Sequence, residues 1–150
     1  MAVHDEWFKS TIERDFFNFM CGELLGNGAS RDVYVFEQDP RYVLKFETGA
    51  QSFSNIREWD TWNDALNMGK EVSDWLAPCV SISPCGTVLR QRRTRPAKTF
   101  PDKIPAWMTD TKRANFGMIG NQFVAHDYGL HLICNKGMTK RLVKANWWDL

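Results

Sequence analysis

Apolar residues in the first twenty positions recur at a helical interval. Phe8, Ile12, Phe16 and Met20 are four apart, with Lys9, Glu13, Arg14 and Asp15 among them, and this spacing predicts an amphipathic helix over 5–20. Gly22 ends the pattern. The stretch ELLGNGASRDVYVFEQ reads as a hairpin around a glycine turn, followed by a third strand, YVLKFE, at 42–47. A helical face returns at 54–66, where Ile56, Trp59, Trp62 and Leu66 align, and Asn55 with Glu58 three residues later has the form of a capping box. A short helix near 70–75 stops at Ala77-Pro78. VSISPCGTVLRQRR then predicts two strands joined at Pro84-Cys85-Gly86.

The segment RRTRPAKTFPDKIP at 92–105 holds three prolines and six charged residues and reads as an exposed linker. FGMIGNQFVAHDYG predicts a hairpin turning at Gly120-Asn121, and TKRLVKANWWDL a last helix. Together these elements predict an α+β fold with an antiparallel sheet of about five strands. The chain reads as one domain over 1–150, divided into a helix and sheet layer (1–91), a linker (92–105) and a reduced C-terminal part (106–150).

Composition narrows the function classes. Of 150 residues, 43% are hydrophobic and 25% charged, which is globular usage and not that of a disordered chain. Nineteen basic residues nearly balance eighteen acidic ones, which argues against a nucleic-acid partner or an anionic membrane. RQRRTRPAK at 90–98 nevertheless gathers five basic residues, a run that is ordinarily a solvated loop. Cys21, Cys79, Cys85 and Cys134 form no CxxC pair, and His4, His126 and His131 lie far from most of them, so a zinc site is not expected. Free thiols, the lack of a signal-peptide pattern and the lack of a long apolar run lead to the expectation of a cytoplasmic protein.

Four features carry candidate chemistry, and each has a plain structural alternative. Gly26, Asn27, Gly28, Ala29, Ser30 and Arg31, running on to Val33, form a glycine-containing segment between two strands, where backbone N–H groups can approach phosphate oxygens. By itself it is better explained as a simple hairpin turn. Lys45 interrupts an apolar strand and needs a counter-charge or a phosphate, unless it faces solvent. Glu58 is placed to pair with Lys45, or to cap its own helix. Asp110, Asn115 and Asp127 flank one hairpin and offer oxygen ligands suited to magnesium, although each also suits a turn or a cap.

Taken in order, Gly26-x-Gly28, Val33, Lys45, Glu58, Asp110 with Asn115 five residues on, and Asp127-Tyr128-Gly129 resemble the signature set of protein kinases, over roughly 22–130. The resemblance implies a kinase-like small lobe with a vestigial large one, and an ATP- and magnesium-dependent phosphotransferase. It also implies roles: residues 26–34 covering the phosphates, Lys45 on the α and β phosphates, Glu58 holding Lys45, Asn115 and Asp127 on magnesium, and Asp110 as the base. Adenine would lie near 90–94. The pattern departs at Arg31, which replaces the third glycine, and at Met108-Thr109, which replace the His-Arg before the aspartate. The short stretch after Gly129 implies no activation segment and no platform for a peptide. Small kinase-like proteins of this kind resemble ones carried by bacteriophages. The alternative is a catalytically impaired pseudokinase that binds and regulates a protein partner through Trp75, Trp107, Trp147 and Trp148.

Overall fold

A computed structural model describes residues 3–49, 52–129 and 141–149, with side chains described from Ser10 onward. His4, Phe8, Lys9, His131 and Cys134 lie outside the described side chains. Helix α1 (Val3–Met20) runs into strands β1 (Cys21–Asn27), β2 (Arg31–Phe36) and β3 (Tyr42–Glu47). Helices α2 (Ser54–Met68) and α3 (Lys70–Ser73) follow, then β4 (Cys79–Ile82) and β5 (Val88–Arg92). These five strands form one antiparallel sheet in the order β1-β2-β3-β5-β4. The fold is therefore α+β, a five-stranded antiparallel sheet with helices, and is compatible with a kinase-like small lobe. Among the described residues no helix is long and apolar enough to cross a membrane.

The two sides of the sheet differ. On the outer side Cys21, Phe36 and Leu44 pack with Tyr34, Tyr42 and Phe46, and Phe17 of α1 meets the Tyr34 ring edge-on at 5.3 Å. The expected α1 stripe is buried only in part: Met20 packs against this cluster, but Ile12 and Phe16 are 51% and 61% exposed, and Phe17 is the side chain turned to the sheet. On the inner side Leu89 joins Trp62, Leu76, Trp107 and Tyr128 in the main core.

Beyond the sheet come β6 (Lys103–Pro105), a 3-10 turn (Arg113–Asn115), β7 (Phe116–Ile119), β8 (Gln122–Ala125) and β9 (Leu142–Lys144). The β7–β8 hairpin turns at Gly120-Asn121 as expected, with Gly120 at φ 57, a conformation that glycine adopts without a Cβ penalty. Two expectations are corrected. The end of the chain is not helical among the described residues: β9 pairs with β6, setting Val143 opposite Ile104, so strand pairing overrides the local pattern. Residues 92–105 are not a free linker either, since Ile104 and Pro105 are buried and Phe100 packs edge-on against Trp147 at 5.1 Å.

Trp62 is buried and Trp59 packs beside it, both as core residues. Trp107, expected at a partner surface, is instead buried in the main core, and Trp75 and Trp147 pack against that core. Of these tryptophans Trp148 alone is largely open to solvent, at 43% exposure.

Candidate functional site

Helix α2 turns a mixed face inward, with two polar residues among its apolar ones. Its buried residues are Asn55, Glu58, Trp62 and Ala65, whereas Ile56 and Leu66, expected inside, are 37% and 50% exposed. The reason lies on the facing strands: Lys45 of β3 and Arg31 of β2 are buried cations and require a buried anion. Nor does the expected capping box form. The residue before the helix, Phe53, is left-handed (φ 53, ψ 23) and its side chain makes no cap; Glu47 Oε1 accepts from the Asn55 N–H at 2.6 Å in its place. Asn55 Nδ2 instead donates toward the carbonyls of Lys45 (2.9 Å), Gly86 (3.0 Å) and Thr87 (3.0 Å), fastening α2 to β3 and to the β4–β5 turn.

Glu58 is the hub. Lys45 Nζ donates to Glu58 Oε1 and to the carbonyl of His126. Gln91 Nε2 reaches the same Oε1 at 2.7 Å, and Arg31 Nη2 meets Oε2 at 2.8 Å. Burial opposes the charge on Glu58, but Lys45 and Arg31 more than offset it and hold its carboxyl below the ordinary carboxylate range. The same Arg31 Nη2 lies 2.8 Å from Asp127 Oδ1, and Nη1 lies 3.2 Å from Asn55 Oδ1. Burial lowers the pKa of Arg31, while Glu58 and Asp127 raise it, with a net upward direction.

The second group of expected residues sits against the first. The carbonyl of Asn115 accepts from the N–H groups of His126 (2.8 Å) and Asp127 (3.2 Å), which places Asn115 beside Asp127. Asn115 Nδ2 donates to Asp110 Oδ2 at 2.9 Å. His126 stands at the junction: its Nε2 is 2.8 Å from the Ala114 carbonyl and its Nδ1 is 2.7 Å from Thr94 Oγ1. Burial, then the nearby Lys45, push the His126 pKa down, so the ring is held neutral. With Nε2 donating to a carbonyl, Nδ1 accepts from the hydroxyl of Thr94.

Residues 26–31 span the β1–β2 turn, closed by the Gly28 N–H to the Arg31 carbonyl at 2.9 Å, with Gly26 opposite Val33 in the ladder. Asn27, Gly28 and Ala29 are exposed, and Ser30 Oγ is 3.2 Å from Ser54 Oγ. Of residues 90–94, Gln91 points inward, Thr94 is tied to His126, and Arg90 lies over the rings of Phe36 and Tyr42 on the outer face. Thr94 and Arg95 press closely on β7: a Cβ on Gly117 would sit 2.7 Å from Thr94 and 2.8 Å from the Arg95 carbonyl. The loop 111–113 is pinned by the C-terminal segment, with the Arg113 N–H donating to the Trp148 carbonyl at 3.0 Å and Thr111 Oγ1 to that of Asn146 at 2.6 Å.

The structure thus gathers Arg31, Lys45, Glu58 and Asp127 into one bonded cluster, with Asn115 and Asp110 adjoining it. Nothing in the sequence singled out Gln91 or His126 for this cluster, and Asn55 was visible in it only as a helix cap. Gln91 had a faint signal, since it shares the inward register of Leu89 in an alternating strand. The oxygen donors of Asp127 and Asn115 are of the kind magnesium takes, together with phosphate oxygens. Arg31 supplies the positive charge facing Asp127 in this structure. No protein-family model matches the chain, and no curated protein matches it.

Proposed function

We propose that the chain is an ATP- and magnesium-dependent phosphotransferase of protein-kinase-like type, with an unidentified acceptor. The observation that carries this reading is the buried Lys45–Glu58 pair, joined through Arg31 to Asp127 beside the 26–31 turn. Lys45 contacts the α and β phosphates while Glu58 keeps its ammonium in place. Backbone N–H groups of the turn cover the phosphates. Asp127 and Asn115 would hold magnesium, which would supply positive charge against the phosphates. Asp110 orients the acceptor hydroxyl and takes its proton.

The test is transfer of label from γ-labelled ATP, with and without magnesium, to the chain itself or to extract components, beside Asp127→Ala. Label that vanishes in the variant supports the proposal; label that persists, or none with any acceptor, counts against it. One observation favours a second reading, a non-catalytic regulator: Arg31 already neutralises both Glu58 and Asp127. Arg31→Gly separates the two. It increases transfer if Arg31 only restrains an enzyme, and leaves transfer absent if the protein is a pseudokinase.

A further inference from the structure

Two clefts flank the β7–β8 turn and share Met118 as a wall. The first, about 360 Å³, is lined by Arg41, Arg92, Arg93 and Arg95, with Pro40, Pro96 and Ile119 as apolar surface. The acid beside it is Asp39, which Arg41 engages through two bonds of 2.9 and 2.7 Å. The other three guanidinium groups make other contacts. Arg93 reaches the Pro40 carbonyl at 3.4 Å, Arg95 donates to the Gly120 carbonyl at 2.7 Å, and Arg92 lies over the Tyr42 ring at 5.5 Å.

Near-neutral net charge therefore conceals a local excess of cations in a concave wall, where a field is focused. Gathering like charges costs free energy that an anionic ligand relieves. The second cleft, about 430 Å³, is aromatic, lined by Trp75, Phe100 and Phe123 with the amides of Asn121 and Gln122. A cationic cleft beside an aromatic one matches a repeating unit that joins a phosphate to a flat ring. The paired backbone bonds between Arg95 and Met118 (2.9 and 2.8 Å) hold the two clefts in fixed relation.

We propose that these adjoining clefts form one site for single-stranded nucleic acid, with phosphates against Arg92, Arg93 and Arg95 and a base in the aromatic cleft. A duplex keeps its bases stacked inside and leaves the aromatic cleft unfilled. A poly-glutamate peptide satisfies the arginines and offers no ring. The arginine cleft meets the Lys45 cluster at Thr94, which lines the cleft and bonds to His126, but the proposal does not rest on the phosphotransfer reading.

The test is fluorescence anisotropy of the full chain with a labelled oligonucleotide of about ten nucleotides, titrated at several salt concentrations. The expected result is binding that weakens steeply with salt. Arg93→Gln/Arg95→Gln is expected to lower the log–log salt slope by about 1.4, at about 0.7 per phosphate contact on a single strand, and the affinity by at least about tenfold. Trp75→Leu is expected to weaken binding roughly tenfold with the slope unchanged, which a general loss of charge or fold does not produce. Thermal melts check folding. If the double variant does not fold, Arg95→Gln carries the test, with a slope change of about 0.7. No binding by wild type at low salt overturns the proposal, as does equal binding by the arginine variants. Equal competition by a duplex or a poly-glutamate peptide also overturns it.

Discussion

The polar cluster around Glu58 and the aromatic layer around Trp147 are held by opposite means. In the aromatic layer Phe116 and Phe123 stack at 5.4 Å, and Trp147 meets Phe116 edge-on at 4.9 Å. Area and shape stabilise that layer, and no group in it is tuned for chemistry. In the polar cluster Arg31, Lys45, Asn55, Glu58 and Gln91 are all buried, and its stability depends on every charge having its partner. A buried charge network is a poor way to gain stability compared with apolar packing. Its presence beside the 26–31 turn is what a site for a charged ligand requires.

The largest effect is expected at Glu58. Glu58→Ala leaves Lys45 and Arg31 buried without their shared anion, and is expected to cost about 3–5 kcal/mol in chemical denaturation. Replacing all three together, Arg31→Met/Lys45→Met/Glu58→Leu, should recover most of that loss. If the triple variant stays as unstable as the single one, the cluster is structural and the contrast fails. On the aromatic side Phe116→Ala is expected to cost about 3–4 kcal/mol with no such rescue, since a cavity remains.

Acid provides a milder probe. His126 is held neutral when folded, so its pKa is lowered relative to the unfolded chain. The unfolded chain then binds the extra proton, and stability present above about pH 6.5 is lost as pH falls below it. Glu58 acts in the same direction, but only as pH falls through the carboxylate range. Melting curves should therefore show a loss of at most about 1.4 kcal/mol per pH unit between neutral pH and about pH 5.5, which His126→Gln flattens. Unchanged slopes in that variant would place the titration elsewhere. The smallest effect belongs to α1: Ile12→Ser and Phe16→Ser, both at exposed positions, should shift stability by no more than about 0.5 kcal/mol.

Much of the sheet was legible because its strands are short apolar runs separated by glycine, proline and polar turns, and the β7–β8 turn at Gly120-Asn121 was readable for the same reason. The helices were legible as elements but not in orientation. Periodicity assumes that the whole apolar stripe faces inward; in α2 Trp59 and Trp62 do, but Ile56 and Leu66 are exposed because Asn55 and Glu58 take inward positions to serve buried partners that lie far away in sequence. The last strand was hidden because its partner, β6, lies inside a segment that reads as a linker. Lys45, Glu58 and Asp127 were legible through their order along the chain. The grip of Arg31 on both carboxylates was not, since it depends on how β2, α2 and the segment after β8 meet in space.

If the Glu58 cluster is the inner wall of a nucleotide cleft, ATP must bind there through Lys45 and a metal. Calorimetric titration of ATP into wild type and Lys45→Met, with and without magnesium, decides the matter. Saturable binding that requires magnesium and weakens at least about tenfold in Lys45→Met, as loss of a charged contact implies, is the expected result. Absence of binding to the wild type, or equal affinity in the variant, contradicts it.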